Sequence, residues 1–149
     1  MKKLLPYVLA FHAALAAAIL LWALQEKFPG PLTNTLSPVW NSPWEMGKAA
    51  FFPLLAAAPT LWVLQKGGSR GGLCLMALSG AALALALAWT PLAPAAVAVL
   101  AITAALALYA ALWRRVSGDA LLWYLLTAAL SVAYICLLYT SPSPRDRTR

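Results

Sequence analysis

Charged side chains are scarce in this sequence of 149 residues: they make up 10% of it, with four acidic residues against eleven basic ones. Soluble domains carry about 25% charged residues, which coat their surface. Hydrophobic residues make up 63% of the chain, which argues against a water-soluble domain and excludes a disordered chain. The net charge of +7 comes from bases dispersed among apolar runs, so no nucleic-acid partner is expected.

Groups that could carry chemistry are also few. The sequence has one histidine and two cysteines. Cys74 stands alone in a long apolar run, so it predicts neither a disulfide nor a metal framework. We find no nucleophile with a base beside it, no glycine loop of the phosphate-binding type and no paired catalytic carboxylates. No cofactor or metal is expected, and an enzyme is the least supported functional class.

Long apolar runs predict an all-α fold, a polytopic bundle of transmembrane helices. A helix needs about 20 apolar residues to cross a bilayer. The runs predict about five spans, the last of them truncated, at residues 4–24, 43–64, 72–89, 92–113 and 120–135. Turn-forming residues separate these runs, and nothing alternates with the period of a β-barrel strand. Residues 1–135 are therefore predicted to form one transmembrane domain.

The first apolar run has two interpretations. Residues 1–18 contain two lysines and an alanine-rich end, as a cleaved signal peptide does. The apolar run, however, continues through Trp22 and is longer than the signal-peptide core of about 7–15 residues. We therefore favour an uncleaved first span.

The positions of lysine and arginine predict the orientation, because short loops rich in these residues stay in the cytoplasm. With the N-terminus inside, the cytoplasmic side holds Lys2, Lys3, Lys66, Arg70, Arg114 and Arg115. The opposite side holds only Lys27 and Lys48. The tryptophans fall at predicted span ends, where they suit the headgroup layer. The sequence thus predicts a multi-pass protein of the inner (cytoplasmic) membrane, with the lipid bilayer as its main partner.

Residues 136–149 differ in style from the alanine- and leucine-rich chain before them. Cys136–Asp146 resembles the translation of a transposon-type sequencing adapter. The resemblance implies that native coding sequence ends near Ile135 and that residues 136–149 are a non-native tail. The alternative is a natural disordered basic tail.

The start of the second span contains the most informative polar residues. Ser42 and Glu45 have the spacing of a capping box, with Pro43 at the first helical position. Glu45 and Lys48 lie three residues apart, so they can pair on one face of the helix.

Two interpretations of this segment stay open. The first is a well-made helix entrance at the membrane surface, which helix energetics favour. The second is the rim of a small-molecule or ion site, because ionisable groups that enter a bilayer are costly and often mark such sites. The candidate rim residues are Trp40, Asn41, Ser42, Trp44, Glu45 and Lys48.

Three further features have structural interpretations. His12 is the polar residue within the first span, and we expect it to face other helices and to bond between helices rather than to bind a ligand. Pro53 and Pro59 predict kinks in the second span. Small residues in the third span predict close helix packing; they are Ala77, Gly80, Ala81, Ala84 and Ala88.

The segment from Ser37 to Pro53 resembles the signature of a family of small prokaryotic multi-pass membrane proteins catalogued as domain of unknown function 6512. The matching positions are Ser37, Pro38, Val39, Ser42, Trp44, Glu45, Lys48, Phe51, Phe52 and Pro53. The chain departs from the signature at three positions, where Trp40, Asn41 and Met46 replace Asn, Glu and His. The resemblance implies a fold and a membrane location, but it implies no activity.

The functional expectation follows from these features. The absence of catalytic groups and the alanine-rich packing faces favour a structural or partner-binding membrane subunit, with another membrane protein or a second copy as its partner. The alternative is a small permease or ion-conducting protein with a site near Glu45 and Lys48.

Overall fold

The computed structural model describes residues 4–38, 43–65, 70–112 and 120–140. The described residues form helices and no strands, which confirms the predicted all-α bundle. The helices are α1 (Leu5–Lys27), α2 (Pro31–Leu36), α3 (Pro43–Gln65), α4 (Arg70–Leu87), α5 (Pro94–Leu112) and α6 (Ala120–Thr140).

Four of these helices are long and apolar enough to cross a membrane, within the part of the chain that the structure describes: α1, α3, α4 and α5. The chain is accordingly a multi-pass membrane protein. The apolar segment of α6, Leu121–Tyr134, is shorter than these spans. The predicted fifth span corresponds to α6, which thus differs from the other four in the length of its apolar segment. As a helix, α6 continues to Thr140.

The predicted ends of the spans lie within a few residues of the observed ones. The largest difference among the first four is at the end of α1, which continues to Lys27 instead of ending at Leu24. Gln25, Glu26 and Lys27 are good helix formers, so the helix outlasts its apolar run. The segment after Lys27 contains Pro29 and Gly30, which do not continue a helix.

The short helix α2 was not predicted; its residues lie between the first two predicted spans. Pro31 stands at its first position, where a proline is well tolerated. The hydroxyl of Thr33 accepts a hydrogen bond from the N–H of Gly30 at 2.9 Å and donates to the carbonyl of Phe28 at 2.9 Å. These bonds hold the turn between α1 and α2, and α2 packs against α1 and α6.

The centre of the bundle is the contact between α3 and α4. Helix α3 also packs against α1 and α5, and α4 packs against α5 and α6. Their fully buried side chains include Phe51, Leu54 and Leu61 of α3 and Ala77 of α4. In lipid, helices associate through close packing, which small residues permit.

Gly80 shows why small residues are needed in α4. A β-carbon built at Gly80 would collide with a methyl group of Leu54, and it would lie 3.7 Å from Ala50 and 3.5 Å from Ala105. Ala77, Ala81 and Ala84 are buried on the same helix. The predicted packing role of these small residues is confirmed.

The two prolines of α3 lie inside a continuous helix. Pro53 is buried in the bundle, whereas Pro59 is exposed on its surface. The missing N–H groups leave the carbonyls of Ala49 and Leu55 without their usual helical donors. Membrane helices tolerate such prolines where neighbouring helices and side chains satisfy the freed carbonyls.

Candidate functional site

The first two turns of α3 carry an ion pair inside the protein. The ammonium nitrogen of Lys48 lies 2.7 Å from a carboxylate oxygen of Glu45. The Lys48 side chain is 0% exposed and that of Glu45 is 10% exposed. Their spacing of three residues places them on one face of the helix. The carboxylate also lies in the first turn, where the helix dipole favours a negative charge.

Lys48 also joins α3 to two other helices. Its ammonium group donates to the backbone carbonyl of Asn34 in α2 at 3.4 Å. It lies 5.9 Å from the centroid of the Tyr134 ring in α6. A cation near an aromatic ring is attracted to the ring's negative face. One buried charge therefore connects the neighbouring helices α2 and α3 with α6, which follows much later in the sequence.

An aromatic cluster packs around Tyr134, the ring that lies beside Lys48. Tyr134 is 2% exposed, and its ring centroid lies 4.8 Å from Trp44, 5.6 Å from Phe51 and 5.9 Å from Phe52. Gly47 makes room for the ring, because a β-carbon there would collide with the Tyr134 hydroxyl. The two charged side chains are almost completely buried, and the exclusion of water strengthens the attraction within the pair.

Because both charged groups are buried, each needs the other as its counter-ion. Moving an ion out of water is expensive, and the attraction of its partner compensates only if the geometry is good and other hydrogen bonds are formed. At 2.7 Å the geometry is that of a strong charge-assisted hydrogen bond. The pair therefore holds the first turns of α3 in one arrangement as long as both residues are present.

Three buried polar atoms in the same region have no hydrogen-bond partner in the part of the chain that the structure describes. They are the amide oxygen of Asn34, the hydroxyl of Ser37 and the indole nitrogen of Trp44. Ser37 as a whole is 0% exposed. Buried polar groups are usually satisfied, so orphaned ones call for an explanation such as a bound water or ligand. The region therefore combines a closed ion pair with unused hydrogen-bonding capacity.

The chain matches no protein-family model, no curated protein and no solved structure. Membership in the family suggested by the Ser37–Pro53 segment stays a prediction.

The structure brings together three of the predicted rim residues. Trp44, Glu45 and Lys48 meet at the start of α3, and the predicted pairing of Glu45 with Lys48 is confirmed. Trp40, Asn41 and Ser42 lie outside the described residues, as does the capping box that involves Ser42.

His12 does not lie where it was predicted. Its side chain is exposed on the surface of α1, and a ring nitrogen is 2.7 Å from the carbonyl of Val8, one turn earlier in the same helix. The expectation that His12 bonds to another helix is wrong. Its polar atom is satisfied locally by a backbone carbonyl, so burial between helices is not needed to satisfy it.

Sequence reasoning missed Asn34 and Tyr134 as parts of this site. Asn34 belongs to the unpredicted helix α2, and it contributes a backbone carbonyl, which any residue type could provide. Tyr134 is an aromatic residue with a polar tip in the last apolar run, which is a weak signal for a buried partner. Ser37 was noted only as a motif position, yet it is fully buried.

No group of three or more histidine, cysteine, aspartate or glutamate side chains in the described ranges could hold a metal ion. The polar chemistry of the site is therefore that of one carboxylate, one ammonium group and neutral hydrogen-bonding atoms.

Proposed function

We propose that this protein is a structural or partner-binding subunit of the inner (cytoplasmic) membrane, with its N-terminus in the cytoplasm. The observation that carries the proposal is the complete enclosure of Lys48, which contacts Glu45, Asn34 and Tyr134. A cation that bound a transported solute would need access to that solute. Here the charge fastens α2, α3 and α6 to one another, which suits an architectural role.

The proposed partner-binding surface lies on α6. This helix packs against α4 and α2. It exposes a row of apolar side chains, Leu121, Leu122, Leu125, Leu126 and Val132. Lipid tails can solvate such a face, and a second membrane helix can replace them at little cost, because the two surroundings are equally apolar. The small residues Ala128 and Ala129, also exposed, would allow a close approach.

Purification from native membranes tests this proposal. The full chain is extracted in a mild detergent, and its mass is measured by analytical ultracentrifugation. We expect a complex with a second membrane protein or with a second copy, and we expect Ala128→Leu to disrupt it. Ala104→Leu, at an exposed position of α5, is the matched control. A monomer without any second protein, in membranes as well as in detergent, contradicts the proposal.

Labelling of intact cells tests the orientation. Cys74 and Cys136 are replaced by serine, and a single cysteine is introduced as Lys27→Cys or Arg70→Cys, at two exposed positions. An impermeant maleimide should label only the Lys27→Cys protein in intact cells and both proteins in lysed cells. The reverse pattern contradicts a cytoplasmic N-terminus.

A second function, that of a small permease or ion-conducting protein, is favoured by the orphaned polar atoms of Asn34, Ser37 and Trp44. They offer hydrogen bonds to a small polar solute beside the ion pair. Liposomes with the full chain should then show a flux that empty liposomes lack, and Glu45→Gln should reduce that flux in a protein that still folds. Equal flux in both kinds of liposome eliminates this function.

A further inference from the structure

A groove opens on the side of the bundle between α3, α4 and α6. Its volume is about 420 Å³. The walls are apolar and are formed mainly by Leu55, Ala58, Pro59 and Leu73. The side chains of these four residues carry no hydrogen-bonding group. This groove lies toward the opposite end of α3 from the Glu45 and Lys48 pair, so it is a separate feature.

One charged residue borders the groove. Arg70, at the first position of α4, is exposed, and its guanidinium carbon lies 4.8 Å from the centroid of the Trp62 ring. A cation–π contact of this kind keeps the guanidinium group beside the groove. Within the described ranges, no carboxylate lies within ion-pair distance of Arg70. The groove therefore has apolar walls and, at one end, a positive charge that no carboxylate of the described ranges neutralises.

We propose that this groove binds an anionic phospholipid, with one acyl chain along the walls and the phosphate on Arg70. Arginine recognises phosphate with two parallel hydrogen bonds, which lysine cannot match. Basic pockets between membrane helices are suited to anionic headgroups, and tryptophan prefers the headgroup layer where the phosphate lies. A protein helix would satisfy the apolar walls equally well, but it would not need the charge.

This binding site requires only that the protein is a membrane protein, and it is independent of the proposed role as a subunit. A free phosphate ion could reach Arg70, but it would leave the apolar walls unused. A neutral phospholipid could fill the walls, but its phosphate carries its own cationic partner. An anionic lipid offers both an acyl chain for the apolar walls and a phosphate for Arg70.

Thermal unfolding of the purified full chain in a nonionic detergent tests the proposal, with phosphatidylglycerol, phosphatidylcholine and inorganic phosphate as additives. We expect phosphatidylglycerol to raise the melting temperature at concentrations at which the other two have little effect. Arg70→Gln should weaken the apparent affinity for phosphatidylglycerol by roughly tenfold or more, as the loss of a charge-assisted hydrogen bond implies. Lys27→Gln, at an exposed lysine outside the groove, is the matched control and should bind like the wild type.

The cysteine in the groove wall provides a second measurement that does not depend on stability. Cys74 lines the groove and is 7% exposed, and Cys136→Ser leaves it as the single cysteine of the chain. Phosphatidylglycerol should slow the reaction of Cys74 with a small maleimide in this background. It should not do so when Ala58→Phe fills the groove or when Arg70→Gln removes the charge.

The outcomes are distinguishable. Equal effects of phosphatidylglycerol and phosphatidylcholine, or an unchanged affinity in Arg70→Gln, overturn the proposal. An effect of inorganic phosphate equal to that of phosphatidylglycerol shows an anion site without a lipid, which also overturns it. Protection of Cys74 that persists in both variants places the lipid elsewhere.

Discussion

The hydroxyl of Tyr134 in α6 lies directly against Gly47 in α3, in the space that a β-carbon at position 47 would occupy. The ring of Tyr134 in turn lies beside the ammonium group of Lys48. The close approach of one glycine and one tyrosine therefore positions the aromatic cover of the ion pair. This contact gives the first prediction.

Gly47→Ala should lower the free energy of unfolding by about 1–3 kcal/mol, because the added methyl group has to displace the Tyr134 ring. Tyr134→Phe removes the hydroxyl that collides and should recover part of the loss in the double variant. Thermal unfolding in detergent measures both. Gly30→Ala, where a β-carbon meets nothing nearer than 3.9 Å, is the control and should cost less. Equal losses at the two glycines would show that the contact with Tyr134 is unimportant.

Glu45→Gln should destabilise the protein by about 3–5 kcal/mol, because it leaves the charge of Lys48 buried without its counter-ion. Replacing both residues by apolar ones of similar size, Glu45→Leu with Lys48→Met, should cost less than Glu45→Gln alone. Denaturant unfolding of the three proteins measures the difference. Glu26→Gln, at an exposed glutamate, should stay within about 0.5 kcal/mol of the wild type. A double variant worse than the single one contradicts this account of the pair.

Gly80→Ile should separate α4 from α3, because even a β-carbon at position 80 collides with Leu54. We expect a loss of about 1–3 kcal/mol from overpacking. Ala82→Ile, two residues away on the exposed face of the same helix, is the control and should be nearly neutral. If both variants unfold at the same temperature as the wild type, α4 does not pack against α3 through Gly80.

Tyr109→Phe should lower the free energy of unfolding by about 1 kcal/mol, because the hydroxyl of Tyr109 donates to the side-chain oxygen of Gln65 at 2.9 Å. This bond joins the end of α3 to α5. Tyr124→Phe, at an exposed tyrosine of α6, is the matched control and should change the stability less. Chemical denaturation compares the two, and the opposite ranking argues against the bond.

His12→Leu should leave the stability within about 0.5 kcal/mol of the wild type, because the imidazole is exposed and bonds to the carbonyl of Val8 in the same helix. The melting temperature in detergent checks this expectation. A large loss would mean that His12 does bond to a second helix, as was expected from the sequence.

The sequence predicts this fold well because apolar length alone decides which segments cross a bilayer. It predicts the pairing of Glu45 with Lys48 because that contact lies within one helix turn. The contact of Lys48 with Tyr134 joins residues that are far apart in the sequence, and no local pattern encodes such a contact. The error at His12 has a similar cause: α1 is apolar on all sides, so its composition does not indicate which face turns inward.

The late position of Tyr134 has a consequence for biosynthesis. Ribosomes make the chain from its N-terminus, so α3 emerges and inserts before α6 has been translated. During that interval Lys48 already has Glu45 beside it but lacks the ring of Tyr134. A nascent chain that is released before residue 134 would thus present a half-covered charge pair to lipid or to the insertion machinery, where quality control can recognise it.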